Sequence, residues 1–183
     1  MLQPNGLLKR FLYVRTWKGG HSVQRETLRT ELNLQLLYQR LLPTVYRAAY
    51  TFMKNSFDSE DAAQEAFIRL AVCSRSFEDE RAVKGWLIVT VSNICRDMLR
   101  RKHREDLNVD DYPELPAPES GGEDLLALLL DLPEKFKTSI YLYYYEGYAV
   151  GEIARAMGQS EGTVKSWLHR GRKLLKRLLE EER

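Results

Sequence analysis

The chain has 183 residues, 44% of them hydrophobic and 30% charged, which is typical of one or two small globular domains and excludes a disordered chain. No apolar run approaches the roughly 20 residues of a membrane span, and the two cysteines lie far apart, so we expect a cytoplasmic protein without membrane insertion, disulfide or metal site. The net charge is only +2, but basic segments at 94–104 and 165–177 flank an acidic one at 105–124, and such segregated charge marks interaction surfaces.

The N-terminal end of the chain divides into a segment without periodicity and a helical segment. Residues 1–33 have no clear hydrophobic period and contain a Gly-Gly pair, so we expect a disordered extension there. From Leu34 onward apolar residues recur at helical spacing. Pro43 interrupts them, which predicts a kink or a restart of the helix.

Two more helices are predicted in the N-terminal half. "FDSEDAAQEAFIRLAVC" carries an alanine-rich core stripe with Phe67, and Asp58 is expected to cap its start. "VKGWLIVTVSNICRDMLRRKHR" has an apolar face that includes Trp86 and Leu87, and it ends in the first basic run. Together these helices predict one small all-α domain over residues 34–104.

A linker and a second helical domain complete the predicted architecture. Residues 105–122 are acidic and rich in proline and glycine, so they cannot bury enough apolar surface to fold alone. Two roles remain open for this flexible linker: a solubilising spacer, or a mimic of nucleic acid that covers the basic surfaces. Residues 123–183 predict four helices, of which the second is opened by Pro133 and closed by Gly147.

The segment "VGEIARAMGQSEGTVKSWLHRGRKLL" has the pattern of a helix-turn-helix. Gly158 suits the left-handed end of the first helix, and Ser160 can cap the second. Val164 and Leu168, four residues apart, would pin the second helix to the first. The remaining faces carry short or cationic groups that can reach base edges and phosphates. These candidates are Glu161, Thr163, Lys165, Ser166, His169, Arg170 and Lys173.

The C-terminal stretch "DLPEKFKTSIYLYYYEGYAVGEIARAMGQSEGTVKSWLHRGRKLLKRL" resembles the promoter-binding domain of bacterial RNA polymerase sigma factors, most of all the extracytoplasmic-function (ECF) class. "DSEDAAQEAFIRL" and "VKGWLIVTVSNICRDMLRR" are similar to the other domain of that class. The resemblance covers about residues 34–178. It implies an all-α protein with a region 2-like domain at 34–104 and a region 4-like domain at 123–183. It also implies that the protein binds core RNA polymerase, promoter DNA and an anti-sigma factor, and that it has no catalytic site or cofactor.

The resemblance further implies roles for individual residues. The family's surface for core polymerase matches Asp61, Gln64, Glu65 and Ile68. Its reader of the minus-ten promoter element matches Asn93, Arg96, Asp97, Arg100 and Arg101. The second helix of the helix-turn-helix would face the minus-thirty-five element. Phe77 is a candidate for capturing a flipped base, and equally a candidate core anchor. Trp167 replaces a residue that is often polar in the family, and we expect it to pack rather than to contact DNA or an inhibitor.

Two other functions remain open at this point. A response regulator has a similar recognition helix, but its receiver domain would need alternating strands that the helical N-terminal half does not predict. A helix-turn-helix regulator that binds polymerase or an anti-sigma partner without acting as a sigma factor is the second alternative. The absence of a carboxylate pair or glycine-rich phosphate loop argues against an enzyme.

Overall fold

The computed structural model of the protein describes residues 24–105, 129 and 132–181, and these ranges contain six α-helices and no β-strand. The helices are α1 (Gln24–Met53), α2 (Ser56–Val72), α3 (Glu80–Glu105), α4 (Glu134–Ile140), α5 (Val150–Met157) and α6 (Glu161–Glu181). A π-helical turn, Tyr141–Tyr145, continues α4. The predicted all-α class is confirmed. Residues 1–23 of the predicted extension and nearly all of the predicted acidic linker lie outside the described residues.

The first helix corrects one expectation from the sequence and excludes one of two alternatives in another. It begins at Gln24, inside the segment expected to be disordered, rather than at Leu34. Residues 24–33 are mostly good helix formers, so they extend a helix that is already nucleated by packing further along, even without a hydrophobic period of their own. Pro43 lies inside α1, which continues through it to Met53 instead of restarting.

Helices α1, α2 and α3 pack against one another and form the N-terminal module. Its core combines large residues with three fully buried alanines of α2, whose small side chains allow close helix packing. The start of α2 differs from the prediction, because Asn55 and not Asp58 is the cap: the Asn55 side chain accepts a hydrogen bond from the backbone N–H of Asp58 at 3.1 Å. The Asp58 carboxylate instead pairs with Lys102 on α3.

Helices α4, α5 and α6, together with the π-helical turn, form the C-terminal module, in which α6 packs against both α4 and α5. The predicted helix-turn-helix elements are confirmed. Gly158 ends α5 with φ +63°, in the left-handed region, and the Ser160 hydroxyl accepts a hydrogen bond from the backbone N–H of Thr163 at 3.1 Å. Val164 and Leu168 are both buried between the helices.

The two modules are in contact, mainly through α3, which packs against α4 and α5. Polar groups lie at the centre of this contact. The Ser92 hydroxyl donates to the Glu134 carboxylate at 2.6 Å and lies 2.5 Å from the Thr138 hydroxyl, which therefore donates to it. An aromatic pair, Phe52 on α1 and Tyr141, completes the contact with a ring separation of 5.8 Å.

Candidate nucleic-acid and polymerase interfaces

The second helix of the helix-turn-helix, α6, presents a cationic face. Six of its predicted DNA-contacting residues are exposed; they are Glu161, Lys165, Ser166, His169, Arg170 and Lys173. Thr163 differs, because it is half-buried and its hydroxyl lies 2.9 Å from that of Ser160 within the helix cap. Its position at the start of α6 is therefore mainly a capping position.

Charges on this face are largely available to a ligand. Lys165 lies 3.9 Å from Glu161 one turn earlier, and both side chains are more than half exposed, so this ion pair is weak. On the other edge of α6, the Arg172 guanidinium donates to the Tyr144 hydroxyl at 3.4 Å. An exposed run of cations on one helix is the arrangement that phosphate contacts require.

Trp167 packs in the structure. It is half-buried and contacts the hydrophobic core of the protein. The sequence predicted packing as its role, and the structure confirms that prediction.

The predicted minus-ten residues lie on the C-terminal half of α3. Asn93, Arg96 and Asp97 are half-buried, whereas Arg100 and Arg101 are exposed. The Arg96 guanidinium donates twice to one Asp97 oxygen, at 3.1 Å each, and Arg101 Nε donates to the backbone carbonyl of Asp97 at 3.3 Å. The structure thus brings these residues together on one end of α3. Whether they read DNA stays a prediction.

Phe77 lies in the loop between α2 and α3 and is half-buried. Its ring packs edge-to-face on Trp86, with centroids 5.8 Å apart, and the Arg75 guanidinium lies 5.7 Å from its centroid. A small cavity beside it is lined by this loop and, from the C-terminal module, by Tyr148, Glu152 and Arg155 among others. Both roles considered for Phe77 fit this position, since it anchors the loop and borders an opening.

The predicted polymerase surface lies on α2, on the side away from the buried alanines. Asp61 is exposed, and Gln64, Glu65 and Ile68 are half-buried. Glu65 accepts a hydrogen bond from Arg69 Nε at 3.0 Å, an exposed pair one helical turn apart. The face therefore presents mixed polar and apolar groups, and its role in binding polymerase stays a prediction.

The charged residues that join the two modules were not among those predicted from the sequence. Arg81 and Lys84 at the start of α3 pair with Glu152 and Glu146 of the C-terminal module. The side-chain hydrogen bond from Arg81 lowers the pKa of the Glu152 carboxyl, and the same bond raises the pKa of Arg81. Nothing in the local sequence indicates partners more than 60 residues away.

Within the described ranges, no group of three or more His, Cys, Asp or Glu side chains is arranged to hold a metal ion. In the same ranges, no helix is both long enough and apolar enough to span a membrane.

Comparisons with known proteins match both modules. Residues 37–105 match the family model "Sigma-70 region 2", and residues 122–175 match "Sigma-70, region 4". The ECF RNA polymerase sigma factor SigE of Mycolicibacterium smegmatis is 35% identical over 144 residues, which covers 72% of this chain and 56% of that protein. The ECF RNA polymerase sigma factor SigW of Bacillus subtilis is 32% identical over 155 residues, which covers 74% of this chain and 82% of that protein.

Solved structures agree at the level of the fold. The sigma factor RpoE in complex with the anti-sigma factor NepR from Bartonella quintana has a TM-score of 0.62 and 23% sequence identity, covering 82% of this chain and 99% of that chain. The chain spans little more than half of the length of SigE but about four fifths of the length of SigW. The chain belongs to the ECF class of RNA polymerase sigma factors.

Proposed function

We propose that this protein binds core RNA polymerase and directs it to promoters by contacting two DNA elements. The N-terminal module, with predicted bounds 34–104, would bind polymerase through α2 and the minus-ten element through the end of α3. The C-terminal module, with predicted bounds 123–183, would bind the minus-thirty-five element through α6. The protein would act in the cytoplasm as a non-catalytic subunit, and the polymerase would supply the chemistry.

The observation that carries the proposal is the exposed cationic face of α6, held by a complete helix-turn-helix. The left-handed Gly158, the Ser160 cap and the buried Val164 fix α6 against α5 and leave the opposite face open to solvent. A helix presented in this way can enter a major groove, where its N-terminal residues meet base edges and its cations meet phosphates.

A response regulator is not supported, because its receiver domain requires a parallel sheet and the residues that the structure describes contain no strand. An anti-sigma partner is part of the proposal. The Bartonella quintana relative of the same fold was solved with such a partner, and the family membership makes an equivalent regulator a reasonable ligand for this chain.

Promoter-directed transcription with purified core polymerase tests the proposal. Core plus this protein should produce specific transcripts from a promoter selected out of the genome of origin, and core alone should not. A protein that co-purifies with core yet never supports a specific start would be a regulator of another kind.

Substitutions on α6 test the DNA-binding residues separately. Alanine at Lys165, His169 or Arg170 should weaken minus-thirty-five binding by about 1–3 kcal/mol where the residue reads a base, and should flatten the salt dependence where it contacts a phosphate. Lys176→Ala is a matched control, because this exposed cation pairs with Glu180 further along α6. Unchanged promoter binding in all three variants at moderate salt would show that α6 is not the recognition helix.

A further inference from the structure

Glu161 is the first residue of α6, and it is an acid at the start of a cationic helix. Residues 162–179 of α6 include six lysines and arginines together with His169, and no aspartate or glutamate. A carboxylate on a helix that meets DNA is repelled by the phosphates, so it weakens binding unless it finds a donor. The helix dipole also favours an acid at this end of α6, so a purely stabilising role is the alternative.

The first turn of α6 holds Glu161 in a fixed place on the helix. The Ser160 hydroxyl accepts a hydrogen bond from the backbone N–H of Thr163 at 3.1 Å and lies 2.9 Å from the Thr163 hydroxyl. Val164 is fully buried and fixes the same turn against α5. Base edges are read by the N-terminal residues of a recognition helix, so Glu161 and Lys165 occupy the part of α6 that would enter the major groove.

A glycine of α5 leaves room for the Glu161 carboxylate. An ideal Cβ built on Gly151 would lie 3.0 Å from Glu161 Oε1 and 3.7 Å from its Cδ. The carboxylate therefore lies close to the backbone of α5, in space that a side chain at position 151 would share with it. The structure thus places the acidic group between the first turns of α5 and α6.

Lys165, one turn along α6, provides a donor beside this acceptor. Its Nζ lies 3.9 Å from Glu161 Oε2, and the Lys165 and Glu161 side chains are 66% and 60% exposed. An exposed ion pair at this distance contributes little stability, so exchanging it for contacts with DNA costs little. The two residues therefore present an acceptor and a donor side by side to solvent.

The major-groove edge of a C·G base pair is complementary to these two groups. Cytosine presents its N4 amino group, a donor, and guanine presents O6 and N7, two acceptors. N4 and O6 are hydrogen-bonded to each other in the base pair, so this donor and this acceptor lie about 3 Å apart. An ionised carboxylate only accepts and an ammonium only donates, so Glu161 matches cytosine N4 and Lys165 matches guanine O6 or N7.

Other bases opposite Glu161 fit its carboxylate less well. Adenine offers a donor at N6, but the N7 acceptor beside it repels a carboxylate. Thymine presents the O4 acceptor and guanine presents O6 and N7, so both repel it. An acidic side chain at this position therefore selects cytosine by attraction and excludes the other bases by repulsion.

We propose that Glu161 and Lys165 together read one C·G base pair of the upstream promoter element. Glu161 accepts a hydrogen bond from cytosine N4, and Lys165 donates to guanine O6 or N7. Gly151 is a positioning residue, because it leaves the space in which the carboxylate lies. The inference rests on the proposed function for the use of α6 as the recognition helix, and it adds the base pair that two residues of α6 select.

Substitutions at these residues should change the preference at a single base pair. Glu161→Ala and Lys165→Met should each lower the preference for C·G about tenfold at that position and leave the other positions unchanged. In Glu161→Gln the amide both accepts and donates, which suits adenine, so the preference should move from C·G toward A·T. Gly151→Ala keeps the charge but displaces the exposed carboxylate, so it should lower the preference by a smaller factor, about threefold.

The pair formed by Lys176 and Glu180, further along α6, is a matched control. Its Nζ–Oε1 distance is 3.7 Å and its side chains are 77% and 63% exposed, so it resembles the first pair in spacing and exposure. Lys176→Met and Glu180→Gln remove the same charges from the same helix, and they should leave every base preference as it is in the parent protein. Thermal unfolding of each variant separates a loss of stability from a loss of specificity.

Selection from randomised duplex DNA measures the preferences. The full-length chain is used both alone and assembled with core polymerase, and the bound DNA is sequenced. The element selected by the parent protein should contain one C·G pair that responds to the substitutions as described. In that element, 2-pyrimidinone in place of the cytosine removes the N4 amino group. It should weaken binding of the parent protein about tenfold and leave binding of Glu161→Ala unchanged.

Two results would overturn the proposal while leaving the proposed function in place. Base preferences that are the same in the parent protein, Glu161→Ala and Lys165→Met would show that the pair reads no base. A lower thermal stability of Glu161→Ala with unchanged preferences would assign Glu161 to the start of α6 alone.

The proposal and the proposed function fail separately. A chain that selects an element with the expected C·G pair but never starts transcription with core would keep the base reading and lose the sigma-factor role. A parent protein that selects no DNA sequence, alone or with core, would overturn both.

Discussion

Gly171 allows α6 to lie directly on α4, and replacing it with alanine should destabilise the C-terminal module. An ideal Cβ at Gly171 would lie 2.5 Å from Ile140 Cδ1 and 3.2 Å from Phe136 Cβ. Both neighbours are buried, Ile140 at 4% and Phe136 at 7% exposure, so neither can turn into solvent to make room. The position of α6 on α4 therefore depends on the absence of a side chain at Gly171.

Two opposing terms set the expected magnitude. Alanine in a helix interior is favoured over glycine by about 1 kcal/mol, whereas overpacking a buried site costs about 1–3 kcal/mol. A separation of 2.5 Å is far inside van der Waals contact, so we place the packing cost at the upper end of that range. The free energy of unfolding should fall by about 1–2 kcal/mol. Gly162→Ala in the same helix meets no such neighbour and should be neutral or stabilising.

Urea unfolding followed by circular dichroism measures the change, and a double-mutant cycle tests its cause. Ile140→Val removes the Cδ1 methyl group that the new Cβ meets, and alone it should cost about 0.5–1.5 kcal/mol. In the Gly171→Ala background the same change should recover stability, giving a coupling energy of about 1 kcal/mol or more. An additive cycle, or a Gly171→Ala protein as stable as the parent, would refute the close approach of α6 to α4.

Three further predictions concern single groups. Burial raises the pKa of Cys95 to about 12, with the Glu134 carboxylate adding to the effect, so a thiol reagent at pH 8 should label only Cys73 in the native protein and both thiols in urea. Asp61→Lys should weaken co-purification with core polymerase at unchanged thermal stability, because Asp61 is exposed; undiminished co-purification would count against the α2 surface. Because Arg81 lowers the pKa of Glu152, the stability that their ion pair contributes is present above the ordinary carboxyl value of 4.5 and is lost as the pH falls through the lowered value. The difference in free energy of unfolding between the parent protein and Glu152→Gln should therefore stay constant from pH 8 to 6 and shrink only in acid, and a difference that is the same at every pH would assign the effect of the substitution to other contacts.

The features that could be predicted from the sequence are those encoded within a few residues. The helix-turn-helix was predictable because Gly158, Ser160 and the Val164–Leu168 pair each act on neighbours within one turn. The cap of α2 was not, since Asn55 and Asp58 are equally good capping residues. The choice between them depends on the backbone at the end of α1. Lys54 adopts φ +53° there, and the turn places Asn55 directly before the first residue of α2.

The ion pairs between the two modules were not predictable because their partners are far apart in the chain. Arg81 and Glu152 are separated by 71 positions, and both read locally as ordinary exposed charges near helix starts. A pairing of this kind follows from the relative placement of two modules, and the linker between them carries no pattern that fixes that placement.

One trace of the module contact does exist in the sequence of α3. Arg81, Gly85, Ile88 and Ser92 follow at i, i+4, i+7 and i+11, which places them on one stripe of the helix. Two of the four are small, and a stripe of small residues lets another helix or ring approach closely, as Tyr148 does at Gly85. The same helix ends in the exposed Arg100 and Arg101 that are predicted to hold promoter DNA. The stripe that contacts the C-terminal module and the end that is predicted to bind DNA therefore lie on one continuous helix, α3.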